Sequence, residues 1–210
     1  MAVLVWGNVG ERYYETGVDR GVLFPQTGDG VPWNGLISVS EAPSGGEPRP
    51  YYLDGFKYLN LATSEEFAAT IDAFSAPDEF DKCDGTASIH NGLFITQQKR
   101  ESFGLSYRTR IGNDVDGTDH GYKIHLVYNA LASPSSRSNS TLNDSTSPIT
   151  FSWAITTAPP TITGFKPSAH FVIDSRKTDP LVLESVEAIL YGDSVGNSRL
   201  PDVDELIALF

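Results

Sequence analysis

The chain has 210 residues and a mass of 22.8 kDa, room for one large domain or two small ones with a buried core. Its 40% hydrophobic and 20% charged residues exclude both a disordered tail and a membrane-spanning chain. A net charge of −12 at pH 7 argues against a basic nucleic-acid-binding surface, and the single cysteine, Cys83, excludes a disulfide framework and a multi-cysteine zinc site.

Met1 to Trp6 is a short apolar run with no cationic stretch before it, and Gly7, Asn8 and Gly10 interrupt it. It does not read as a signal peptide, so the chain is expected to be made in a cytoplasm and not exported by the usual route. No stretch reaches the roughly 18 to 20 apolar residues needed to cross a bilayer, so no membrane partner is expected. Trp33 to Ser40 reads as a strand. Glu41 to Pro50, with three prolines that cannot donate to a ladder, reads as a long loop. Tyr51 to Leu61 resumes as extended chain.

Thr63-Ser-Glu-Glu66 has the spacing of a capping box, and Phe67, Ala68, Ile71 and Phe74 then fall at helical intervals before Pro77. This predicts a packed helix near 64–75. Ser88 to Ile95, Ser102 to Ile111 and Tyr122 to Leu131 are strand candidates, with alternation that predicts one buried and one wetter face. Ser133 to Pro148 carries seven serines among asparagine and proline and predicts a mobile connection, or one ordered by a partner. Ile149 to Thr157 alternates most cleanly, and Ala169 to Ile173 is a further short strand. Asp179-Pro180 opens a helix that Gly192 closes, and Pro201 to Phe210 forms a second. No fixed-period repeat is present. The expected fold is β-rich (α+β): a sandwich or barrel-like domain over 1–160, and an extension over 161–210 with two short helices packed on that domain or on a neighbour.

The polar run Asn113 to Gly121 resembles a calcium loop only superficially. Counting from Asp114, glycine falls at position four instead of six, and position twelve is His125 instead of glutamate. A turn between strands is the better reading. Of the four histidines (His90, His120, His125 and His170), His120 and His125 are five apart. In a strand that sets them on opposite faces and about 16 Å apart, too far to share a metal. Nucleophile-elbow and phosphate-loop patterns are missing, and Cys83 sits among carboxylates that disfavour a thiolate. No catalytic, cofactor-binding or metal-ligating residue is assigned, and the chain is not expected to be an enzyme. Glu65, Glu66, Asp72, Asp78, Glu79, Asp81 and Asp84 crowd one stretch with a single cation, Lys82. They form either a solvated face or a surface that repels DNA.

Longer strings carry a resemblance. Val31 to Leu36, Glu41 to Pro48, Tyr51-Tyr52, Lys57 to Leu61, Pro77 to Phe80, Cys83 to Gly85, Phe103 to Arg108 and Ile111 to Tyr128 are similar to the major tail proteins (tail tube proteins) of long-tailed, non-contractile actinobacterial phages. The similarity spans about 17–160. It implies a structural virion protein whose copies form hexameric rings. Sheets would join across subunits into an inner β-barrel, and the rings would stack into the hollow tube that delivers the genome. Implied partners are further copies, the tail terminator, tape measure and distal tail proteins, with DNA passing without sticking. The implied location is the virion tail, after synthesis in the bacterial host cytoplasm. No catalytic residue or cofactor comes with the resemblance. The rival reading is a receptor- or carbohydrate-binding β-sandwich of a phage tail, with Trp33, Trp153, Tyr13-Tyr14 and Tyr51-Tyr52 stacking on sugars.

Overall fold

The computed structural model describes residues 3–141, 148–194 and 196–210. In chain order the strands are β1 (Tyr14–Pro25), β2 (Val31–Pro32), β3 (Leu36–Glu41), β4 (Ser44–Gly45), β5 (Pro48–Leu53), β6 (Phe56–Ala62), β7 (Glu65–Glu66) and β8 (Ala68–Ala73). The four-residue helix α1 (Asp81–Asp84) leads to β9 (Ala87–His90), β10 (Leu93–Ile95), β11 (Phe103–Asn113), β12 (Gly117–Ala132), β13 (Phe151–Thr157) and β14 (His170–Asp174). Helices α2 (Pro180–Tyr191) and α3 (Val203–Leu209) follow. This is the β-rich α+β class expected from the sequence.

The main sheet is antiparallel and runs β2-β1-β11-β12-β13-β8-β3. Its spine is β12, which pairs with β14 over Lys123–Val127 and with β13 over Ala130–Ala132, so the sheet forks along one edge. Between the two tines Asn129 adopts φ +49°, a left-handed conformation that asparagine tolerates better than most residues. The resulting shift in register places Val127 and Ala130 in the same core, although they are three residues apart. At the far end β3 curls back to β1. The Trp33 amide donates to the Gly21 carbonyl at 2.8 Å, and a Cβ at Gly21 would come within 2.8 Å of the Leu36 side chain. A side chain there would press on Leu36 and reach Trp33 Cβ at 3.4 Å, where the sheet turns on itself.

Two cores lie on opposite faces of β1, β11 and β12. Inside the curl are Leu23, Phe103, Leu105, Tyr107, Val127, Trp33, Phe80 and Trp153, whose indole and phenyl rings approach at 4.8–5.9 Å in tilted and edge-on pairs. On the outer face Val22, Phe24, Ile124, Leu126 and Tyr128 meet Val186, Leu190, Val203 and Leu206 of the terminal helices. The wetter face predicted for these strands is therefore dry along 124–128. The helices cover it, so consecutive residues are buried where alternation suggested every second one. Asp179 caps α2 by accepting from the Leu181 amide at 2.9 Å, Pro180 occupies the first turn, and Gly192 follows at φ +79°.

The helix expected near 64–75 is not formed. Residues 65–66 and 68–73 are strands, and β8 lies between β13 and β3. Ala69, Ile71 and Ala73 point inward at every second residue, and the Asp72 carboxylate accepts from Ser38 Oγ at 2.9 Å. Two flanking partners supply a full set of ladder hydrogen bonds, which outweighs a two-residue capping signal. Of the serine-rich segment, 142–147 lie outside the described residues. Residues 133–141 carry no regular structure, yet Arg137 pairs with Asp84 and lies 5.3 Å from the Phe151 ring centroid.

Candidate interaction surface and a histidine cluster

Three segments stand off the body with apolar side chains in solvent. The first is 3–9, where Trp6 is 82% exposed beside Val3, Leu4, Val5 and Val9. The second is the β5–β6 hairpin, which pairs with no other strand among the described residues and whose every strand residue is exposed. Asp54 and Gly55, at φ +51° and +80°, make its tight turn, and Pro48 and Pro50 leave gaps in the donors of β5. Tyr51, Tyr52, Leu53, Phe56 (78% exposed), Tyr58 (68%), Leu59 and Leu61 project from it. The third is the β9–β10 hairpin, with Ile89, Leu93, Phe94 and Ile95 exposed. A lone two-stranded hairpin is marginal in water, and apolar surface on this scale marks an interaction site. The loop expected over 41–50 is thus the root and first strand of a protruding arm.

Other features from the sequence fall into structural roles. Trp33 and Trp153 are buried at 3% and 1% exposure, so neither can stack on a sugar. Asn113 closes a turn by accepting the amides of Val115 and Asp116 at 3.0 and 2.5 Å, as the turn reading required. Cys83 is buried, and burial, more than the nearby Glu101 charge, pushes its thiol up to about 12. The acidic stretch is not a uniform solvated face. Asp84 is only 9% exposed and pairs with Arg100 at 3.3 Å and with Arg137, while burial, more than the neighbouring Asp78 and Asp84 charges, raises the Asp81 carboxyl.

On β1, Asp19 accepts from Arg108 Nε and Nη2 at 2.6 and 2.8 Å and from Arg110 Nε at 3.0 Å. The Arg108 hydrogen bonds hold its carboxyl below the usual carboxylate range. A depressed folded-state pKa stabilises the fold above the unfolded value of about 3.9 and loses that contribution as pH falls through the folded one. Asp19→Asn is therefore expected to cost about 1–2 kcal/mol at pH 7, and the gap to the parent chain should narrow as pH falls below the unfolded value and close once the folded carboxyl is protonated. Urea unfolding of both chains across that range checks it; a gap independent of pH contradicts it.

One titratable cluster was not foreseen. The sheet brings His125 of β12 beside His170 of β14, and the curl brings Glu41, the last residue of β3, up to both. His125 Nδ1 and His170 Nε2 are 3.1 Å apart, and Glu41 Oε1 is 3.5 Å from the first and 4.0 Å from the second. Tyr107 donates its hydroxyl hydrogen to Glu41 Oε1 at 2.8 Å, and Thr109 Oγ1 is 3.1 Å from His125 Nε2. His125 lies parallel to Tyr107, with ring centroids 4.6 Å apart, and Phe67 packs on His170 at 4.3 Å. Burial lowers His125 to about 4, helped by the adjacent His170, and burial lowers His170 as well. Both rings are therefore neutral at pH 7, and the Tyr107 hydroxyl is pushed far up, by burial first and by Glu41 second. His120, considered with His125 in the sequence, lies elsewhere, against Asp116 and Asn113. The separation of His120 and His125 is as expected, but the ligand-bearing neighbour of His125 comes from another strand.

Glu41 and His170 line a groove of about 800 Å3 together with Thr63, Glu65, Phe67 and Lys166.

No protein-family model matches the chain, and no curated protein does. Among solved structures, the anti-feeding prophage cap (the AFP tube terminating cap) is similar at TM-score 0.40 and 9% identity, over 83% of this chain and 97% of that one. The 6-fold symmetrised AFP baseplate is similar at TM-score 0.40 and 8% identity, over 81% and 97%. Likeness at this level assigns neither family nor function.

Proposed function

We propose that the chain is a structural protein of a phage tail, whose copies associate into hexameric rings that stack as the hollow tail tube. The observation that carries this reading is the β5–β6 arm. Thirteen residues in β5 and β6 form a hairpin that pairs with no other strand among the described residues, and its seven large apolar side chains need a surface to cover them. A second copy of the chain is the occupant. The other exposed segments, 3–9 and β9–β10, supply further contacts, and the outer edge of β14, which pairs with no second strand among the described residues, is a place where sheets of neighbouring copies can join, removing an edge that would otherwise aggregate. The sequence resemblance to tail tube proteins supplies the phage context and the ring geometry.

Tail terminator, tape measure and distal tail proteins are the further partners on this reading. Unpaired carboxylates lining the lumen keep DNA from adhering, because opposite charge would trap it through counterion release. No catalytic step is needed, since the tube itself is the activity. Electron microscopy of the purified chain over a range of concentrations tests the reading, as set out at the end of the Discussion.

A further inference from the structure

The geometry points to a transition-metal site formed by Glu41, His125 and His170 at the root of the arm, suited to Zn2+. The three ligand atoms lie 3.1, 3.5 and 4.0 Å from one another. A point equidistant from all three is about 2.1 Å from each, the length of Zn–N and Zn–O bonds. Two imidazoles and one carboxylate form a donor set that zinc uses with a water in the fourth position, and the groove beside Glu41 and His170 gives that water access.

The surroundings fit such a site. Thr109 Oγ1 is placed to accept from His125 Nε2–H, which leaves the Nδ1 lone pair facing the site. Tyr107 orients the Glu41 carboxylate. Partners of this kind fix tautomer and direction in metal centres. In the metal-free chain the two rings share one N–H···N contact. Binding replaces it: the His170 proton moves from Nε2 to Nδ1, both rings turn off their common line, and no net proton is released from either ring. Residues 42–67, which contain the arm, leave the body immediately after Glu41 and return at Phe67 against His170. The ion therefore ties the base of the arm to β12 and β14, and it does so whether or not the arm meets another copy.

The test is titration of the full-length chain, free of any affinity tag, with ZnCl2 by calorimetry, and with Co2+ as a visible-absorption reporter. One ion per chain is expected, with a rise in Tm on saturation and a Co2+ spectrum unlike that of the hydrated ion. His170→Gln and Glu41→Gln should each weaken Zn2+ binding at least about a hundredfold, and Tyr107→Phe about tenfold, as for an outer partner. His90→Gln, exposed on β9, should leave it unchanged. Far-UV circular dichroism verifies that each variant is folded; if His125→Gln is not, Glu41→Gln and His170→Gln decide. Absence of saturable binding by the parent chain, or equal affinity in His170→Gln, overturns the site.

Discussion

Replacing Phe56 and Tyr58 with serine is expected to abolish assembly and leave the monomer intact. Both side chains are on β6, are 78% and 68% exposed, and belong to a hairpin that pairs with no other strand among the described residues. Within one molecule they bury little, so unfolding of the double variant should match the parent to within about 0.5 kcal/mol. Between molecules the account requires them to be covered. Burying two large aromatic side chains contributes about 4 kcal/mol, which is roughly a thousandfold in an association constant. Sedimentation of the two chains at equal concentration reads the association, and thermal melting reads the stability. A double variant that assembles like the parent removes the arm from the interface. One that loses several degrees in Tm against a parent chain diluted until it is monomeric shows instead that the arm is packed within its own chain.

The largest effect on stability is expected at Trp153. Its side chain is 1% exposed and touches the rings of Trp33, Phe80 and Phe151 at centroid distances of 5.1–5.9 Å. It stands on β13, between β12 and β8, where it fills the middle of the inner core. Trp153→Ala leaves a void that three strands cannot close and should cost about 3–5 kcal/mol, a large part of the 5–15 kcal/mol typical of a whole domain. Trp153→Phe should be far milder, about 1–2 kcal/mol. The indole Nε1 is buried without a hydrogen-bond partner among the described residues, so phenylalanine keeps most of the ring and removes an unpaired donor. Denaturant unfolding of the two variants separates the terms. A loss in Trp153→Phe well above about 2 kcal/mol would mean that the indole hydrogen is paired in solution.

The strands that were legible in the sequence are those whose alternation survives in the structure. Phe103, Leu105 and Tyr107 on β11, and Trp153 and Ile155 on β13, face the inner core at every second position. The α2 helix was legible because Asp179, Pro180 and Gly192 punctuate it chemically. The β1 strand was not, because Gly17, Gly21 and an Arg20 at φ +48° break its pattern with two irregularities in register. Residues 64–75 misled for the opposite reason. A local capping pattern at Thr63–Glu66 spoke for a helix, while the partners that make β8 a strand lie far away in the chain. The histidine cluster was invisible for the same cause. His125 and His170 are 45 residues apart, and Glu41 joins them only because β3 returns across the curl. Spacing along one strand correctly separated His120 from His125, and it carried no information about a neighbour supplied by β14. The exposed arm also escaped notice: aromatic residues flanking Asp54-Gly55 read as extended chain, with no sign that the chain leaves the body there.

Electron microscopy of the purified full-length chain, taken across a concentration series alongside light scattering, tests the central claim most directly. The account predicts rings with an open centre that stack into tubes, with residues 48–62 of each copy lying against another. A particle of 22.8 kDa that stays single at every concentration, with the arm free in solvent, would contradict it.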